Sequence, residues 1–232
     1  MKRYYDLHIH SALSPCGDED MTPNNIVNMA LLKGLDIIAV TDHNSAANVR
    51  SVVKAADGKI FVVPGIEVTT SEEVHVLCYF NTVEAAEDMG EYLKACMSGV
   101  KNRPEIFGRQ LVMDENDKII GEEENLLVNA VGLSIYEVQK AVMVREGIFV
   151  PAHIDRTSYS VTSNLGFLPP DLPVDGLEIT SAGLTKYAEQ YKEFQILTSS
   201  DAHYLENISE REHFLNPEGK ITKKLIENLY KI

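Results

Sequence analysis

Residues 4–10 read Tyr4-Tyr5-Asp6-Leu7-His8-Ile9-His10. Aromatic and β-branched residues with a period of two predict a strand, with Asp6, His8 and His10 on one face and Leu7 and Ile9 on the other. Two imidazoles on one face, two residues apart, converge on a point above the strand and form a two-point chelate for a metal ion. A pair of separately hydrogen-bonded histidines fits the same spacing. The rest of the chain decides between these readings.

Working outward, similar apolar runs cover Tyr4–His10, Leu35–Thr41, Ile60–Val68, Val74–Phe80, Ile148–His153, Gly176–Thr180 and Gln195–Ser199. They predict about seven short buried strands. Most end in ionisable residues: Thr41-Asp42-His43-Asn44, Gly65-Ile66-Glu67-Val68, Pro151-Ala152-His153-Ile154-Asp155 and Ser199-Ser200-Asp201-Ala202-His203. In barrels and open α/β sheets the carboxyl ends of the strands share one rim, where sites are assembled. Only about five residues separate the third and fourth strands, too few for a parallel crossover, so the two pair antiparallel and His75 starts beside Glu67. Six of the seven histidines then meet at one rim, which neutral structural histidines have no reason to do, and metal binding follows.

Thr22-Pro23 reads as the N-cap and first residue of a helix running to Lys33, with Gly34 beyond it, giving a βαβ unit. Ser134-Ile135-Tyr136-Glu137 is a capping box opening a helix to about Arg145, stopped by Gly147. Between them the alternation lapses. Residues 82–147 carry a helix near Ala85–Met97, a hairpin around Asp114–Asp117 and two helices, and are expected to be an α+β insertion. No repeat or long linker divides the chain, so 1–232 is expected to be a single domain, ending in a short amphipathic helix near Thr222–Tyr230.

Composition narrows the partners. Of 232 residues, 44% are hydrophobic and 24% charged, and 35 acidic against 21 basic residues give a net charge of −14. A field of that sign repels polyanions, so nucleic acid is a disfavoured partner. No run approaches the roughly 18–20 apolar residues of a bilayer span, and Met1–Tyr5 lacks the apolar stretch of a secretory signal, so a cytoplasmic protein without a membrane partner is expected. Cys16, Cys78 and Cys96 form neither a C-x-x-C pair nor an even set, which argues against a disulfide framework. Cys78 and Cys96 read as core residues. The sequence sets no oligomeric state.

With these motifs in order, the chain resembles the polymerase and histidinol phosphatase (PHP) domains of the amidohydrolase-like superfamily. Asp6-Leu7-His8-Ile9-His10-Ser11, Thr41-Asp42-His43-Asn44, Pro151-Ala152-His153 and Ser200-Asp201-Ala202-His203 match its four motifs, with Gly65-Ile66-Glu67 between the second and third. The resemblance implies an α/β fold, a distorted (β/α)7 barrel, with two or three divalent ions. His8, His10, Glu67 and Asp201 would hold the first. Glu67 would bridge to a second held with His75 and His153, while His43 and His203 would contribute to a third. This mixture of imidazole and carboxylate suits zinc, manganese or iron and does not choose among them. Relatives often place another histidine, or an aspartate, shortly after the first motif. Here Cys16 stands at that place, with Asp18 as the runner-up, and a thiolate is a good zinc ligand.

The resemblance implies a metal-dependent phosphoesterase acting on a small phosphorylated metabolite, a nucleotide or a phosphomonoester such as histidinol phosphate. Cations of this kind bring a bound water toward neutrality and offset phosphoryl charge, so no protein nucleophile is needed. Asp42, Asp201 and His203 are the candidates to orient that water or move its proton. Arg156, just after the third motif, is the candidate phosphate ligand, and the loop from Arg156 to Asp171 is a candidate substrate wall. Lys101-Asn102-Arg103-Pro104 with Arg109 is a further candidate cover for an anionic group, and His213 receives no role. The competing readings are a 3′ nuclease or proofreading-like module and a non-catalytic metal-binding regulatory domain.

Overall fold

The structure, a computed structural model, describes residues 2–216 and 218–229. Its main sheet contains β1 (Arg3–Ile9), β2 (Ile37–Val40), β3 (Phe61–Thr69), β4 (His75–Tyr79), β7 (Ile148–Pro151) and β10 (Phe214–Leu215), in the order β10-β1-β2-β3-β4-β7. β1, β2 and β3 are parallel. β3–β4 and β4–β7 are antiparallel, so β7 points the same way as β1–β3. The tight β3–β4 connection dictates this pairing, as its length predicts.

β8 (Leu177–Glu178) and β9 (Ile196–Leu197) form a separate parallel pair. Individual bonds join this pair and the segment after it to the main sheet: past β7 the Ile154 amide donates to the Glu178 carbonyl at 2.9 Å, and Ala202 bridges Ile9 of β1 in parallel. The architecture is therefore a curled, mixed sheet, less regular than the expected (β/α)7 barrel. Two-residue strands cannot sustain full ladders on that side.

The helices follow their local signals. Helix α1 (Pro23–Leu32) is capped by Thr22, whose side chain accepts from the Asn25 amide, and α2 (Val49–Ala56) returns the chain to β3. Ser134 and Glu137 form the capping box of α5 (Ile135–Val144). Within 82–147, α3 (Val83–Cys96) and α5 bury Ala86, Met89, Leu93, Val138 and Val142 in the same core as Val76, Cys78 and Phe149. The short α4 (Pro104–Phe107) and the hairpin of β5 (Leu111–Met113) and β6 (Ile119–Glu122) lie between them. Only one helix follows the hairpin, not the expected two. Residues 123–134 instead spend their polar groups on neighbours: the Leu127 amide donates to Gln110 Oε1, and the carbonyls of Leu127 and Asn129 accept from Asn44.

Beyond β7, α6 (Val161–Asn164), α7 (Leu184–Tyr187) and a 3-10 turn (Leu205–Asn207) are single turns, and α8 (Lys220–Leu229) buries Ile221 and Leu225 against β1 and β7. The last residue expected in that helix, Tyr230, lies outside the described residues. Among the described residues no helix is long and apolar enough to cross a membrane.

Candidate metal centre

The carboxyl ends of β1, β2, β3 and β7 meet at one rim, with the Asp201–His203 turn after β9. Glu67, 1% exposed, sits at its middle. Its Oε1 lies 2.9 Å from His75 Nδ1 and 3.3 Å from both His8 Nε2 and His153 Nε2. Its Oε2 lies 3.1 Å from His43 Nδ1 and 3.3 Å from His10 Nε2. Asp201 Oδ1 is 3.2 Å from His8 Nε2 and 3.1 Å from His10 Nε2.

Donor atoms converge in three groups: His8, His10, Glu67 and Asp201; His43, Glu67 and His75; and His10, His43 and His203. His153 joins the centre through its contact with Glu67.

Several backbone positions at this rim are strained. His153 has φ 28°, Asp201 φ 53° and Asn44 φ 50°. The left-handed region costs non-glycine residues of the order of 1–3 kcal/mol each and persists where surrounding contacts over-determine it. At His153 those contacts are visible: its amide donates to Glu178 Oε2 at 2.9 Å, and the Arg156 amide donates to its carbonyl at 2.9 Å. This backbone turn aims the imidazole of His153 back over the sheet end.

The surroundings fit divalent cations. A carboxylate offers about four lone-pair sites, yet five imidazole nitrogens crowd Glu67. His8 Nε2 and His10 Nε2 face each other at 3.2 Å, an arrangement that a shared cation relieves. Hydrogen bonds on the far side of three rings point Nε2 inward: His8 Nδ1 lies 3.1 Å from each oxygen of Glu178, His10 Nδ1 3.0 Å from Ser14 Oγ, and His203 Nδ1 2.8 Å from the Asp201 carbonyl. Outer partners of this kind fix the tautomer of ligating histidines.

The electrostatics agree. Burial alone would lower the pKa of His8, but Glu178, Asp201 and Glu67 overcome it and raise the pKa well above the usual histidine range. Burial also opposes charge on His10, yet Asp201 and Glu67 lift it to about 9. Against their own burial, Glu67 and Asp201 are held far below the ordinary carboxylate range, Glu67 chiefly by His75 and His8, Asp201 by His8 and His10. Burial, reinforced by the charge of His10, keeps His43 well below the usual histidine value and lowers His203 to about 4. The carboxylates of Glu67, Asp201 and Glu178 thus hold positive charge on His8 and His10, a charge that divalent ions bound among the same groups would replace.

Two of the expected site residues stand apart. Cys16 is exposed and joins none of the three groups. Its loop nevertheless borders the rim, since the Asp18 amide donates to the His203 carbonyl at 2.9 Å. Asp42 is buried, and its oxygens are spent on the first-motif loop. The Ser11 amide and Ser14 Oγ each donate to Oδ1 at 2.7 Å, and Ser11 Oγ donates to Oδ2 at 2.6 Å. Asp42 therefore reaches His10 only through Ser14.

Arg156 does reach the rim. Its Nη1 lies 2.5 Å from Asp201 Oδ2, and its side chain remains 44% exposed. The expected cationic cover behaves differently: Lys101 pairs with Glu124 and Arg109 with Glu19 and Glu122, while the Arg103 guanidinium lies over the Phe107 ring. Glu178 was missed from sequence. It sits in the middle of the run Gly176–Thr180, at the end of β8, and is the acidic residue of that run left without an assigned partner.

Two cavities flank the centre. One, about 590 Å³, adjoins Asp201 and Arg156 and is lined by hydroxyl and acidic side chains together with His213. The other, about 330 Å³, adjoins His43 and His75 and is lined by Phe107, Leu126, Val128 and Tyr159.

The PHP domain family profile matches residues 6–231. A 5′-3′ exoribonuclease of Haemophilus influenzae is 30% identical over 81 residues, 33% of this chain and 28% of that protein. An uncharacterized protein of Methanocaldococcus jannaschii is 32% identical over 89 residues, 38% of this chain and 11% of its own length. The matches thus span less than a third of either curated relative. Among solved structures, the lesion-specific endonuclease PfuEndoQ of Pyrococcus furiosus superposes with a TM-score of 0.67 at 21% identity, covering 88% of this chain and 49% of that one. A protein described as a metal-dependent phosphoesterase of Bifidobacterium adolescentis gives 0.66 at 19% identity, covering 97% and 96%. At these identities the superpositions establish a common fold. The profile match over nearly the whole length shows that the chain belongs to the PHP domain family.

Proposed function

We propose that this chain hydrolyses small phosphoesters with divalent ions held around Glu67. His8, His10, Glu67 and Asp201 would hold one ion, Glu67, His75 and His153 a second, and His43 and His203 would contribute to a third. The observation that carries the reading is the single buried carboxylate ringed by five imidazoles. Divalent ions bound there supply Lewis acidity toward phosphoryl oxygens and activate water.

The remaining work falls to the protein. Arg156, half exposed and paired with Asp201, can turn its planar guanidinium to a phosphate and bind two of its oxygens. Glu178 holds the His8 ring with Nε2 inward, and Asp42 holds His10 through Ser14. His8, His10, His43, Glu67 and His153 are themselves buried, which strengthens the charge interactions among them.

A second reading, a nuclease, draws support from the nature of two relatives: the exoribonuclease, and the EndoQ structure described as a complex with a 27-mer duplex carrying an abasic lesion. Against it stand the net charge of −14 and the paired state of Lys101 and Arg109.

One experiment separates the two. Phosphate release from phosphomonoesters and nucleotides is measured beside cleavage of end-labelled single-stranded RNA and DNA, with manganese and with chelator. The small-substrate reading predicts chelator-sensitive release from monomeric esters and little cleavage of polymers. Efficient polymer cleavage with no turnover of monomers would replace it with the nuclease.

A further inference from the structure

The imidazoles at the rim are not all held alike. On the far side of His8, His10 and His203, hydrogen bonds to Glu178, Ser14 and the Asp201 carbonyl fix the rings. His75 and His153, both against Glu67 Oε1, have no such outer bond among the described residues. His153 Nδ1 is buried without a hydrogen-bond partner. His75 turns its Nδ1 to Glu67 at 2.9 Å, and rings surround the rest of it. His43 and His153 meet it edge-on, at 60° and 61°, whereas Tyr159 lies over its face with planes 25° apart and centroids 4.8 Å apart.

Tyr159 is fixed in that place from several directions. Its carbonyl accepts from the His75 amide at 2.9 Å, so its backbone and its ring grip the same residue. Its φ of 54° is costly for a bulky side chain and persists only where surrounding contacts over-determine it. Those contacts lie on two sides of the loop. Ser160 Oγ donates to the Arg156 carbonyl at 2.7 Å and Thr162 Oγ1 donates to the Ile154 carbonyl, which ties the loop to the end of β7. Asn164 Nδ2 donates to the carbonyls of Glu72 and Glu73, each at 3.0 Å, which ties it to the turn before β4. Yet Tyr159 stays 47% exposed, so core packing does not account for the strain.

Resting on the ion assignments above, we propose that Tyr159 is the positioning residue of the second ion. Its ring holds the His75 imidazole with Nδ1 toward Glu67, in place of the outer hydrogen bond that His8 and His10 have. The face of an aromatic ring is electron-rich and attracts an imidazole made more positive by a bound cation, so the stack favours the loaded site over the empty one. The two ions are then held unequally. The one at His8, His10 and Asp201 is backed by Glu178 and Ser14, which fix the imidazoles and raise their basicity. The one at His75 and His153 depends on a loop laid over the rim, and it is the weaker and faster to exchange. The loop thereby governs metal occupancy through a residue that lies outside every sequence motif.

The test uses the whole chain and reads metal binding directly. The metal-free protein is titrated with manganese or zinc in competition with a chromophoric chelator, and bound metal is counted by elemental analysis. The native chain should show a tight and a weak class of ion, at least about tenfold apart. Tyr159→Ala should weaken the weak class by about 3- to 10-fold, the worth of one aromatic pair, and leave the tight class unchanged. Tyr159→Phe should restore the native titration, because the ring and not the hydroxyl holds His75. Asn164→Ala, which frees the loop from the turn before β4, should shift the same class in the same direction by a smaller factor. Both classes intact in Tyr159→Ala, or both weakened together, would overturn the role of Tyr159 and leave the metal centre standing. A Tyr159→Phe chain as impaired as Tyr159→Ala would also overturn it, by moving the effect to the hydroxyl. Equal affinity for the two ions in the native chain would overturn their inequality, and a native chain that takes up no ion would overturn the metal centre itself.

Discussion

At the rim, His8, His10, Glu67 and His153 are placed by regular structure: each stands at or near a strand end, and strand alternation aims it. In the loop after β7, Tyr159 is placed by side chains of that loop bonded to carbonyls after β7 and before β4. The first arrangement is stiff, buried and tied by hydrogen bonds to an outer shell of Glu178, Ser14 and Asp42. The second is half exposed and held by its own loop. The contrast suggests that the sheet supplies the chemistry and that a loop laid over it sets how firmly one ion is held.

The severest way to break this contrast is Glu67→Gln. If the rim carries the chemistry, the variant should lose bound metal and about three orders of magnitude or more in hydrolysis, as read by elemental analysis and phosphate release on one sample. Glu178→Ala probes the outer shell and should weaken metal binding by about 10- to 100-fold in a competition titration. Glu178→Gln should recover part of it, because an amide oxygen still accepts from His8 Nδ1. Tyr159→Ala sharpens the other side of the comparison: it should raise the manganese concentration for half-maximal phosphate release by about 3- to 10-fold while leaving turnover at saturating metal unchanged.

The smallest effect lies away from both regions. Asp175 accepts from the Phe149 amide at 3.0 Å and pairs with Lys224 at 2.8 Å and Lys220 at 3.2 Å. Although burial opposes its charge, Lys224 and the Phe149 amide hold its pKa below the ordinary carboxylate value. A depressed carboxylate stabilises the fold above its unfolded pKa and loses that contribution as pH falls through its folded one. Asp175→Asn should therefore cost about 1 kcal/mol at neutral pH, and the gap from the native chain in urea melts should close as the pH is taken into the acid range.

The two regions were unequally legible in the sequence. Strand ends announce themselves, because a period-two apolar run that stops at His, Asp or Glu leaves those side chains at the rim. Every histidine so identified lies at the centre, and the antiparallel β3–β4 pair brings His75 to Glu67 as its short connection required. What escaped depends on contacts between distant segments. Glu178 is an acidic residue of a predicted strand, but its contact with His8 appears when β8 is laid beside β7, and Asp42 looks like a rim residue until Ser11 and Ser14 are seen to occupy it. Cys16 was placed by counting along a loop, and loops do not conserve direction as strands do. The regularity of the barrel was overestimated for a related reason: β8 and β9 are two residues long, and their closure depends on single bonds that no local pattern announces.

The central claim is that Glu67 organises a multinuclear metal site. Anomalous diffraction from crystals grown with manganese or zinc tests it most directly. The account predicts at least two peaks that share Glu67, one also within about 2.0–2.3 Å of His8, His10 and Asp201 and the other similarly close to His75 and His153. Peaks confined to surface carboxylates, with none beside Glu67, would contradict it.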